Sequence, residues 1–346
     1  MGKKTVLVTG GAGYIGSHVT VELINAGYDV VVADNMSNCD LTCFEGVKEV
    51  TGRTDIPFYR IDCCNQESVE TIFNAHAIDA LIHFAAYKAV GESVEQPLKY
   101  FRNNLDSFIT VLSVAAGHGG CNVLFSSSAT VYGETDRLPV TEESPRQPAM
   151  SPYGATKQMC EDILESSVKA AGTGIKGMAL RYFNPVGAHP SALLGELPRG
   201  VPNNLIPYVT QTAIGKRECL TIFGDDYPTP DGTCLRDYID VVDLAKAHVA
   251  AVGRMVDGKM KKDYEIFNVG TGRPVSVLEI VRAFEKANGV KLNYRFGPRR
   301  AGDITAIWAD PSLANRELGW TAQRTLEDTM KSAWEWELHL AALNKK

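Results

Sequence analysis

The chain has 346 residues, of which 45% are hydrophobic and 22% charged, and its formal net charge at pH 7 is −6. This composition predicts a globular protein with two domains, or one domain with a large second lobe. The acidic balance excludes the basic surface of a nucleic-acid-binding protein, and no apolar run is long enough to cross a membrane.

The cysteines and histidines indicate neither a disulfide framework nor a metal site. The eight cysteines include no C-x-x-C pair, and the seven histidines show no zinc-binding spacing. Reduced thiols fit a reducing compartment, and the N-terminal residues run straight into a strand without a signal-peptide segment. These observations predict a cytoplasmic protein without a metal ion.

The first half of the chain alternates short apolar runs with amphipathic segments. Strands are predicted over residues 5–10, 29–34, 57–62, 80–86, 122–133 and 177–187, with helices between them. Apolar runs without polar alternation indicate strands that are covered on both faces. The fold class is therefore α/β, with a Rossmann-type doubly wound parallel sheet.

After Arg181 the rhythm changes, because Gly and Pro become frequent and the elements become shorter. We expect a long ordered loop first, followed by a smaller C-terminal α/β substrate-binding lobe that includes the segment YEIFNVG. The predicted division is a cofactor-binding domain over residues 1–181 and a substrate-binding domain over 182–346.

The sequence TGGAGYIGSH follows the first strand and opens the first helix. Its residues Gly11 to Gly16 satisfy G-x-G-x-x-G, and Gly10, Gly13 and Gly16 give a second, wider spacing. Such glycines let the backbone approach a pyrophosphate, which then meets the positive end of the helix dipole. The motif alone is weak evidence, but the strand–turn–helix context favours a dinucleotide site.

Asp34 ends the second strand, 18 residues beyond Gly16. A carboxylate there can accept both ribose hydroxyls of an adenosine and repels a 2′-phosphate, so NAD is favoured over NADP. A helix cap or turn residue is the alternative for Asp34. For Asp62, at the end of the third strand, contact with adenine and a turn role are nearly balanced.

Tyr153 and Lys157 in SPYGATKQ lie four residues apart, on one face of a predicted helix. Such a pair is usually structural. Here it follows the fifth strand, whose carboxyl end carries Ser126 to Thr130, on the sheet edge where ligands bind. Ser128 or Thr130 can then bind the reacting oxygen, while strand-end backbone bonding is the simpler interpretation for Ser126 and Ser127.

The tyrosine–lysine pair offers a mechanism for proton transfer. A tyrosine ionises near pH 10, and a cation within about 4–6 Å lowers a neighbouring pKa by about 1–3 units. Lys157 and an oxidised nicotinamide together supply two such charges. Tyr153 poised near neutral pH can take a proton from an alcohol and return it.

The residues resemble the extended short-chain dehydrogenase/reductases that act on nucleotide sugars, and within them the UDP-galactose (UDP-glucose) 4-epimerases. Besides the two motifs above, the resemblance includes IHFAAYKAVGESV, FSSSATVYG, RYFNPVGAH, PNNLIPYV, IFGDDYPTPDGTCLRDYI and PRRAGD. It runs nearly from end to end. It implies a bound NAD+ that is not consumed and inversion of C4 of UDP-glucose and UDP-galactose through a 4-keto sugar. It also implies a homodimer.

The resemblance assigns roles to residues of this chain. The catalytic residues are Tyr153, Lys157 and Ser128. The cofactor contacts are Gly10, Gly13, Tyr14, Ile15, Gly16, Asp34, Asn35, Asn38, Asp62, Cys63, Phe84, Ala85, Lys88, Asn103, Ser126, Tyr153, Lys157 and Tyr182. The substrate contacts are Ser128, Thr130, Tyr153, Phe183, Asn184, Asn204, Leu205, Phe223, Arg236, Arg300, Asp303 and Ile307.

Three positions depart from the family pattern. Ala86 and Tyr87 replace a Gly-Leu pair before the cofactor lysine, and Asp240 replaces a common histidine and receives no role. Ile307 stands at a position that gates substrate size, where tyrosine goes with plain hexoses and a small residue with N-acetylated sugars. We expect a UDP-glucose/UDP-galactose enzyme, with weak activity on UDP-N-acetylhexosamines as the alternative.

Other functions fit the sequence less well. A nucleotide-sugar 4,6-dehydratase needs an acidic pair beside the reacting oxygen, where this chain has Ala129 and Thr130. A UDP-glucuronate epimerase or decarboxylase needs a site for a carboxylate, which is not identified here. A non-catalytic NAD sensor has no need of Tyr153, Lys157 and Ser128 together.

Overall fold

The computed structural model describes residues 2–300 and 303–343. Its strands are β1 (Thr5–Thr9), β2 (Asp29–Ala33), β3 (Phe58–Tyr59), β4 (Ala80–His83), β5 (Asn122–Ser128), β6 (Lys176–Tyr182), β7 (Asn184–Val186), β8 (Leu220–Phe223), β9 (Leu235–Asp240), β10 (Tyr264–Val269), β11 (Pro274–Ser276), β12 (Tyr294–Gly297) and β13 (Ala306–Ile307). Its α-helices are α1 (Tyr14–Asn25), α2 (Thr42–Thr51), α3 (Gln66–Ala75), α4 (Val90–Glu95), α5 (Pro97–Gly117), α6 (Pro152–Lys169), α7 (Leu205–Ala213), α8 (Val241–Val256), α9 (Val277–Asn288), α10 (Ser312–Leu318) and α11 (Leu326–Leu343).

A parallel sheet forms the centre of the protein, and its strand order within the described residues is β10-β6-β5-β4-β1-β2-β3. Val6 and Val8 of β1 pack on one face with α1 and α8, while Leu7 packs on the other face with α3 and α5. Since both faces are covered, the strands can be apolar throughout. The predicted doubly wound α/β fold is confirmed.

The order of the strands reverses between β1 and β4, where the chain passes from one half of the sheet to the other. In open parallel sheets, ligands bind beyond the carboxyl ends of the strands at this switch point. The glycine turn after β1, the loop after β4 and the serines at the end of β5 lie on that edge.

The smaller lobe is built from sheets outside this central one. Strand β9 pairs with β7, β11 and β13, and β8 pairs with β12. A separate apolar core joins α7, α9 and α11 through residues such as Val209, Phe284 and Met330, all of which are buried. This lobe carries the later sequence motifs.

The structure corrects several predicted elements. YEIFNVG forms β10, which pairs in parallel with β6 at the edge of the central sheet rather than in the smaller lobe. The strand predicted over 122–133 ends at Ser128 and a 3₁₀ turn follows. The strand predicted over 177–187 divides into β6 and β7, because β7 leaves the central sheet to pair with β9. The domain division at 181/182 remains a prediction.

Two further observations concern the whole described chain. None of its helices combines the length and the apolar character that a membrane crossing requires. All eight cysteines lie in the described part and are unpaired.

Candidate active site

The glycine turn is compressed against the loop that follows β4. Gly10 has a φ of +72°, and a Cβ there would lie 2.8 Å from the amide nitrogen of Ala85. A Cβ on Gly16 would overlap the carbonyl oxygen of Gly10. Glycine is therefore required at both positions, and Phe84 and Ala85 lie beside the turn.

Helix α1 begins immediately after the turn, with Gly13 as its N-cap. Glycine has no side chain to cap the first amides, and the first turn carries no acidic residue. These amides are therefore free to bind an anion. Tyr14 starts the helix and donates a 2.7 Å hydrogen bond to the carbonyl oxygen of Gly187, which ties the turn to the loop after β7.

Asp34 is buried at the end of β2. One carboxylate oxygen accepts from the amide of Ala12 at 3.1 Å, and the other accepts from the amide of Met36 at 2.9 Å. Asp34 thus has a turn role, and its Oδ1 also accepts from the Cys39 thiol at 3.5 Å, while Oδ2 retains a lone pair for a ligand hydroxyl. Nearby, the Asn35 side chain accepts from the amide of Ser37, and Asn38 is exposed.

The loop after Asp34 contains a contact that the sequence did not indicate. Arg199 donates to the carbonyl oxygens of Ser37 at 2.8 Å and Met36 at 3.2 Å, and also to that of Cys39. A basic group therefore lies close to the predicted ribose site. Its donors are directed to main-chain oxygens.

Asp62 lies in the loop beyond β3 and has a turn role. Its side chain accepts from the amide of Cys64 at 2.9 Å. The neighbouring Cys63 is buried, and burial raises the pKa of its thiol well above the ordinary value. A thiol held protonated in this way contributes apolar surface rather than reactivity.

Asn103 and Asn104 have different environments on α5. Asn104 is buried, and its side chain bonds both the amide (2.8 Å) and the carbonyl oxygen (3.0 Å) of Tyr87. Asn103 donates to Asn104 at 3.0 Å and is partly exposed. The main chain at the Ala86–Tyr87 departure is therefore fixed by Asn104, while Asn103 can reach a ligand.

Lys157 is buried beneath the carboxyl end of β5. Its Nζ donates a 2.7 Å hydrogen bond to the main-chain carbonyl oxygen of Ser126 and lies 5.7 Å from the centroid of the Tyr153 ring. The predicted convergence of this pair with the serine strand is thus present. Burial lowers the pKa of Lys157 to about 8, and Cys160 and Glu161 oppose that shift.

Tyr153 has a higher pKa than its ordinary value. Burial raises the pKa to about 12, and the nearby Ser128 hydroxyl lowers it. Reaching a pKa of about 7 from there requires about 7 kcal/mol of differential stabilisation. The protein surroundings by themselves therefore keep the phenol protonated.

Ser128 and Thr130 flank the reacting position. The Ser128 hydroxyl accepts from the amide of Thr130 at 3.2 Å. The Thr130 hydroxyl is buried and has no hydrogen-bond partner within residues 2–300 and 303–343. Because an unpartnered buried hydroxyl is costly, Thr130 is available to a ligand.

The other two serines correct the expectation of backbone bonding. The Ser126 hydroxyl forms a 2.5 Å hydrogen bond with the Tyr182 hydroxyl, and the Ser127 hydroxyl donates to Glu161 at 2.6 Å. Glu161 also forms a buried ion pair with Arg181 at 2.6 Å. These side-chain contacts fix α6 against β5 and β6.

On the smaller lobe, Asp303 lies between two arginines. Arg300 donates to it at 2.9 Å and Arg236 at 3.5 Å. The neighbouring Asp237 does not pair with Arg236; it is buried and accepts from amides of the loop at residues 271–272. Arg236 therefore has guanidinium donors available for a diphosphate. Ala301 and Gly302 of the PRRAGD motif lie outside the described residues.

The remaining predicted substrate contacts lie at ends of elements. Phe223 ends β8 with 44% of its surface exposed, Asn184 begins β7 and is exposed, and Leu205 begins α7 and is half-buried. Ile307 is buried and packs with Phe183, near the 3₁₀ turn after Ser128.

Glu196 is a residue that the sequence did not single out. Its carboxylate accepts from Lys88 at 2.8 Å and from Asn204 at 2.6 Å. Lys88 is a predicted cofactor contact, and Asn204 is a predicted substrate contact. Nothing in the local sequence LLGELP signals this, because Lys88 is distant along the chain.

The chain is similar to many known proteins over nearly its whole length. The family model described as GDP-mannose 4,6 dehydratase matches residues 7–333. A UDP-glucose 4-epimerase of Bacillus subtilis strain 168 is 50% identical over 332 residues, which cover 96% of each chain. One from Dictyostelium discoideum is 48% identical over 332 residues, covering 96% of this chain and 95% of that protein.

Solved structures of UDP-glucose 4-epimerases are also similar to this chain over nearly its whole length. The UDP-glucose 4-epimerase of Bifidobacterium longum in complex with NAD+ and UDP is 47% identical, with a TM-score of 0.92 and coverage of 97% of this chain and 98% of that one. The enzyme from Stenotrophomonas maltophila with bound NAD and formylated UDP-arabinopyranose is 46% identical, with a TM-score of 0.94 and coverage of 98% and 99%. The chain therefore belongs to the family whose model is described as GDP-mannose 4,6 dehydratase, and its relatives place it in the UDP-glucose 4-epimerase family.

Proposed function

We propose that this protein is an NAD-dependent UDP-glucose 4-epimerase, an isomerase that interconverts UDP-glucose and UDP-galactose by inverting C4. The observation that carries the proposal is the position of Tyr153 and Lys157 at the carboxyl end of β5, with Lys157 hydrogen-bonded to Ser126. This arrangement lies on the same edge of the sheet as the glycine turn, in a chain whose relatives are UDP-glucose 4-epimerases.

The residues at the turn fit NAD. A Cβ on Gly10 or Gly16 would clash with neighbouring main chain, so only glycine permits this tight turn. The first amides of α1 are uncapped by side chains, and Asp34 can accept ribose hydroxyls. When bound, NAD+ supplies an acceptor for the C4 hydrogen and later returns it. The cofactor contacts assigned by resemblance, including Lys88, Asn103 and Tyr182, complete the site.

The chain's own residues handle the proton. Tyr153 accepts the proton of the sugar 4-hydroxyl and returns it after the 4-keto sugar has presented its other face. Lys157 holds a positive charge near the phenol and favours its ionised form. Ser128 and Thr130 offer hydroxyls to the reacting oxygen, which keeps it within reach of Tyr153.

The smaller lobe holds the nucleotide. Arg236 and Arg300 can bind the diphosphate, Asp303 can accept ribose hydroxyls, and Phe223 offers an exposed ring to uracil. Firm contacts to UDP, remote from C4, retain the keto intermediate. The sugar itself must turn, so tight contacts to it would slow the reaction.

A 4,6-dehydratase is the rival suggested by the description of the matching family model. Elimination of water needs an acidic pair beside the reacting oxygen. Ala129 and Thr130 occupy the corresponding turn after Ser128, and neither carries a carboxylate. The epimerase is therefore preferred.

The test is an assay of the purified protein with UDP-galactose, read by NMR of the anomeric protons. The assay has two arms, one without added NAD and one with added NAD+. We expect UDP-glucose to appear in both arms. A protein that binds NAD+ yet leaves both UDP-sugars unchanged belongs to the class of non-catalytic sensors.

We also propose a homodimer, built by a second copy of this chain on α4, α5 and α6. Apolar residues on these helices are exposed: Leu98 (81%), Val94 (62%), Ile109 (44%) and Met159 (42%). We expect a dimer mass in sedimentation, lost in Leu98→Glu and kept in Leu338→Glu on α11. A monomer mass for the parent protein rejects the proposal.

The unpaired thiols support a cytoplasmic location.

A further inference from the structure

Lys88 and Asn204 lie on two different parts of the protein. Lys88 belongs to the loop that follows β4, on the edge of the central sheet where the glycine turn opens. Asn204 is the N-cap of α7 in the smaller lobe. Under the proposed function, the first contacts the cofactor and the second contacts the nucleotide sugar.

A single carboxylate oxygen joins these two side chains. Oε1 of Glu196 accepts from Nζ of Lys88 at 2.8 Å and from Nδ2 of Asn204 at 2.6 Å. Asparagine is a favoured N-cap residue, yet the Asn204 side chain does not cap α7. Its amide is instead directed to Glu196, so the geometry of Asn204 depends on that carboxylate.

Glu196 is itself firmly placed. Its main-chain carbonyl oxygen accepts from the indole of Trp336 at 3.0 Å, and Trp336 is buried on α11. The preceding Gly195 packs so closely on that indole that a Cβ would overlap it. The side chain of Glu196 is 12% exposed, whereas that of Lys88 is 46% exposed. The main chain at Glu196 is therefore fixed, whereas its carboxylate is held in place by its two donors, Lys88 and Asn204.

The position of Lys88 matters to the cofactor turn. Its Nζ lies 5.8 Å from the centroid of the Tyr14 ring, and Tyr14 is the first residue of α1. The ammonium is thus held over the helix start that meets the pyrophosphate. Without Glu196, a long lysine side chain in water samples many rotamers, and ordering it again costs free energy on binding.

We propose that Glu196 is a positioning residue that couples the cofactor site to the nucleotide-sugar site by holding Lys88 and Asn204 on one oxygen. This inference rests on the proposed function, because that function places the two donors at the two ligands. An isolated exposed ion pair contributes little. A shared acceptor contributes more than an isolated pair. Loss of Lys88, Asn204 or Glu196 would change how well the side chains are ordered at both the cofactor site and the nucleotide-sugar site.

The coupling makes an unusual prediction for Asn204. Asn204→Ala removes a side chain assigned to the sugar nucleotide, yet we expect it to weaken NAD+ binding by about three- to tenfold. Glu196→Ala should weaken NAD+ and UDP binding by a similar factor. The double variant Glu196→Ala/Asn204→Ala should bind NAD+ as Glu196→Ala does, because Glu196→Ala alone already removes the shared acceptor. The reciprocal Lys88→Met change should weaken UDP binding when Glu196 is present, and have no further effect in Glu196→Ala.

The experiment is a double-mutant cycle by calorimetry on the full chain, titrating NAD+ into protein stripped of cofactor and UDP into protein saturated with NAD+. Glu196→Gln keeps an oxygen acceptor and should retain more affinity than Glu196→Ala. Glu165→Ala removes an ordinary exposed pair with Lys169 (2.7 Å) and should change neither affinity. Thermal unfolding of each protein without ligand separates coupling from loss of fold.

The outcomes divide clearly. Non-additive effects in the cycle support the coupling. NAD+ affinity that is unchanged in Asn204→Ala, additive effects in the double variant, or tighter NAD+ binding in Glu196→Ala would each overturn it. These are binding measurements, so a parent protein that binds both ligands without epimerising UDP-galactose contradicts the proposed function while the cycle still reports on Glu196.

Discussion

Lys157 and Ser126 are joined by a 2.7 Å hydrogen bond from the lysine Nζ to the serine main-chain carbonyl oxygen. This bond ties α6 to the carboxyl end of β5 and fixes an ammonium group inside the protein. Tyr153 lies one helical turn before Lys157, so its ring is held next to the same strand end. The orientation of the phenol therefore depends on the backbone of β5 as well as on α6.

Tyr153→Phe should lose most turnover and keep its fold and its NAD. The change removes the hydroxyl that carries the proton but preserves the ring. We expect turnover to fall by about 100-fold or more, as is usual for loss of a general acid–base group. Tyr294→Phe, at an exposed tyrosine of β12, is the matched control and should be normal. Normal turnover in Tyr153→Phe would remove this residue from the mechanism.

The rate should fall on the alkaline side as Lys157 loses its proton. Burial lowers the pKa of Lys157 to about 8, so the charged form predominates below that pH and is lost as the pH rises through it. Since the charge favours the ionised Tyr153, we expect kcat to decrease above about pH 8. A kcat that stays level to pH 10, in protein shown to remain folded and loaded, contradicts this role.

Gly16→Ala should abolish NAD binding and destabilise the protein. The added Cβ would overlap the carbonyl oxygen of Gly10 and force the turn apart. Gly91→Ala is a useful contrast, because Gly91 lies in α4 with nothing within 4 Å of an added Cβ. We expect it to bind NAD normally and to gain about 0.5–1 kcal/mol of stability. Cofactor content measures NAD binding, and thermal unfolding measures stability. A Gly16→Ala protein that retains NAD would contradict the requirement for glycine at this turn.

Ile307→Tyr should lower any activity on UDP-N-acetylhexosamines relative to UDP-galactose. Ile307 is buried against Phe183, so a larger side chain has to extend into the space beside the sugar. Ile307→Ala should change the ratio in the opposite direction. Rates on UDP-galactose and UDP-N-acetylgalactosamine, measured side by side, test this, and an unchanged ratio in both variants discredits the gate.

The sequence predicted the parts of the fold that depend on local patterns. Val6, Leu7 and Val8 form a continuous apolar run because both faces of β1 are covered, and the glycines after them mark a turn that only small residues permit. The place of β10 was not predictable in this way. A short apolar run such as YEIFNVG fits either lobe, and its pairing with β6 is decided by tertiary packing.

The sequence predicts candidate residues for the site but not the energetics of those residues. The spacing of Tyr153 and Lys157 indicates a shared helix face, but burial, which sets the pKa of Tyr153 to about 12, cannot be read from spacing. The role of Glu196 could not be predicted from the sequence, because its donors, Lys88 and Asn204, contact it only in the folded chain.

We expect Lys157 and bound NAD+ together to hold Tyr153 ionised near neutral pH. Ultraviolet difference titration of the NAD+-loaded protein against Tyr153→Phe measures the pKa of that phenol directly. We predict an apparent pKa of about 7, far below the value of about 12 that burial imposes. A Tyr153 that still titrates near pH 12 in the loaded protein contradicts the account.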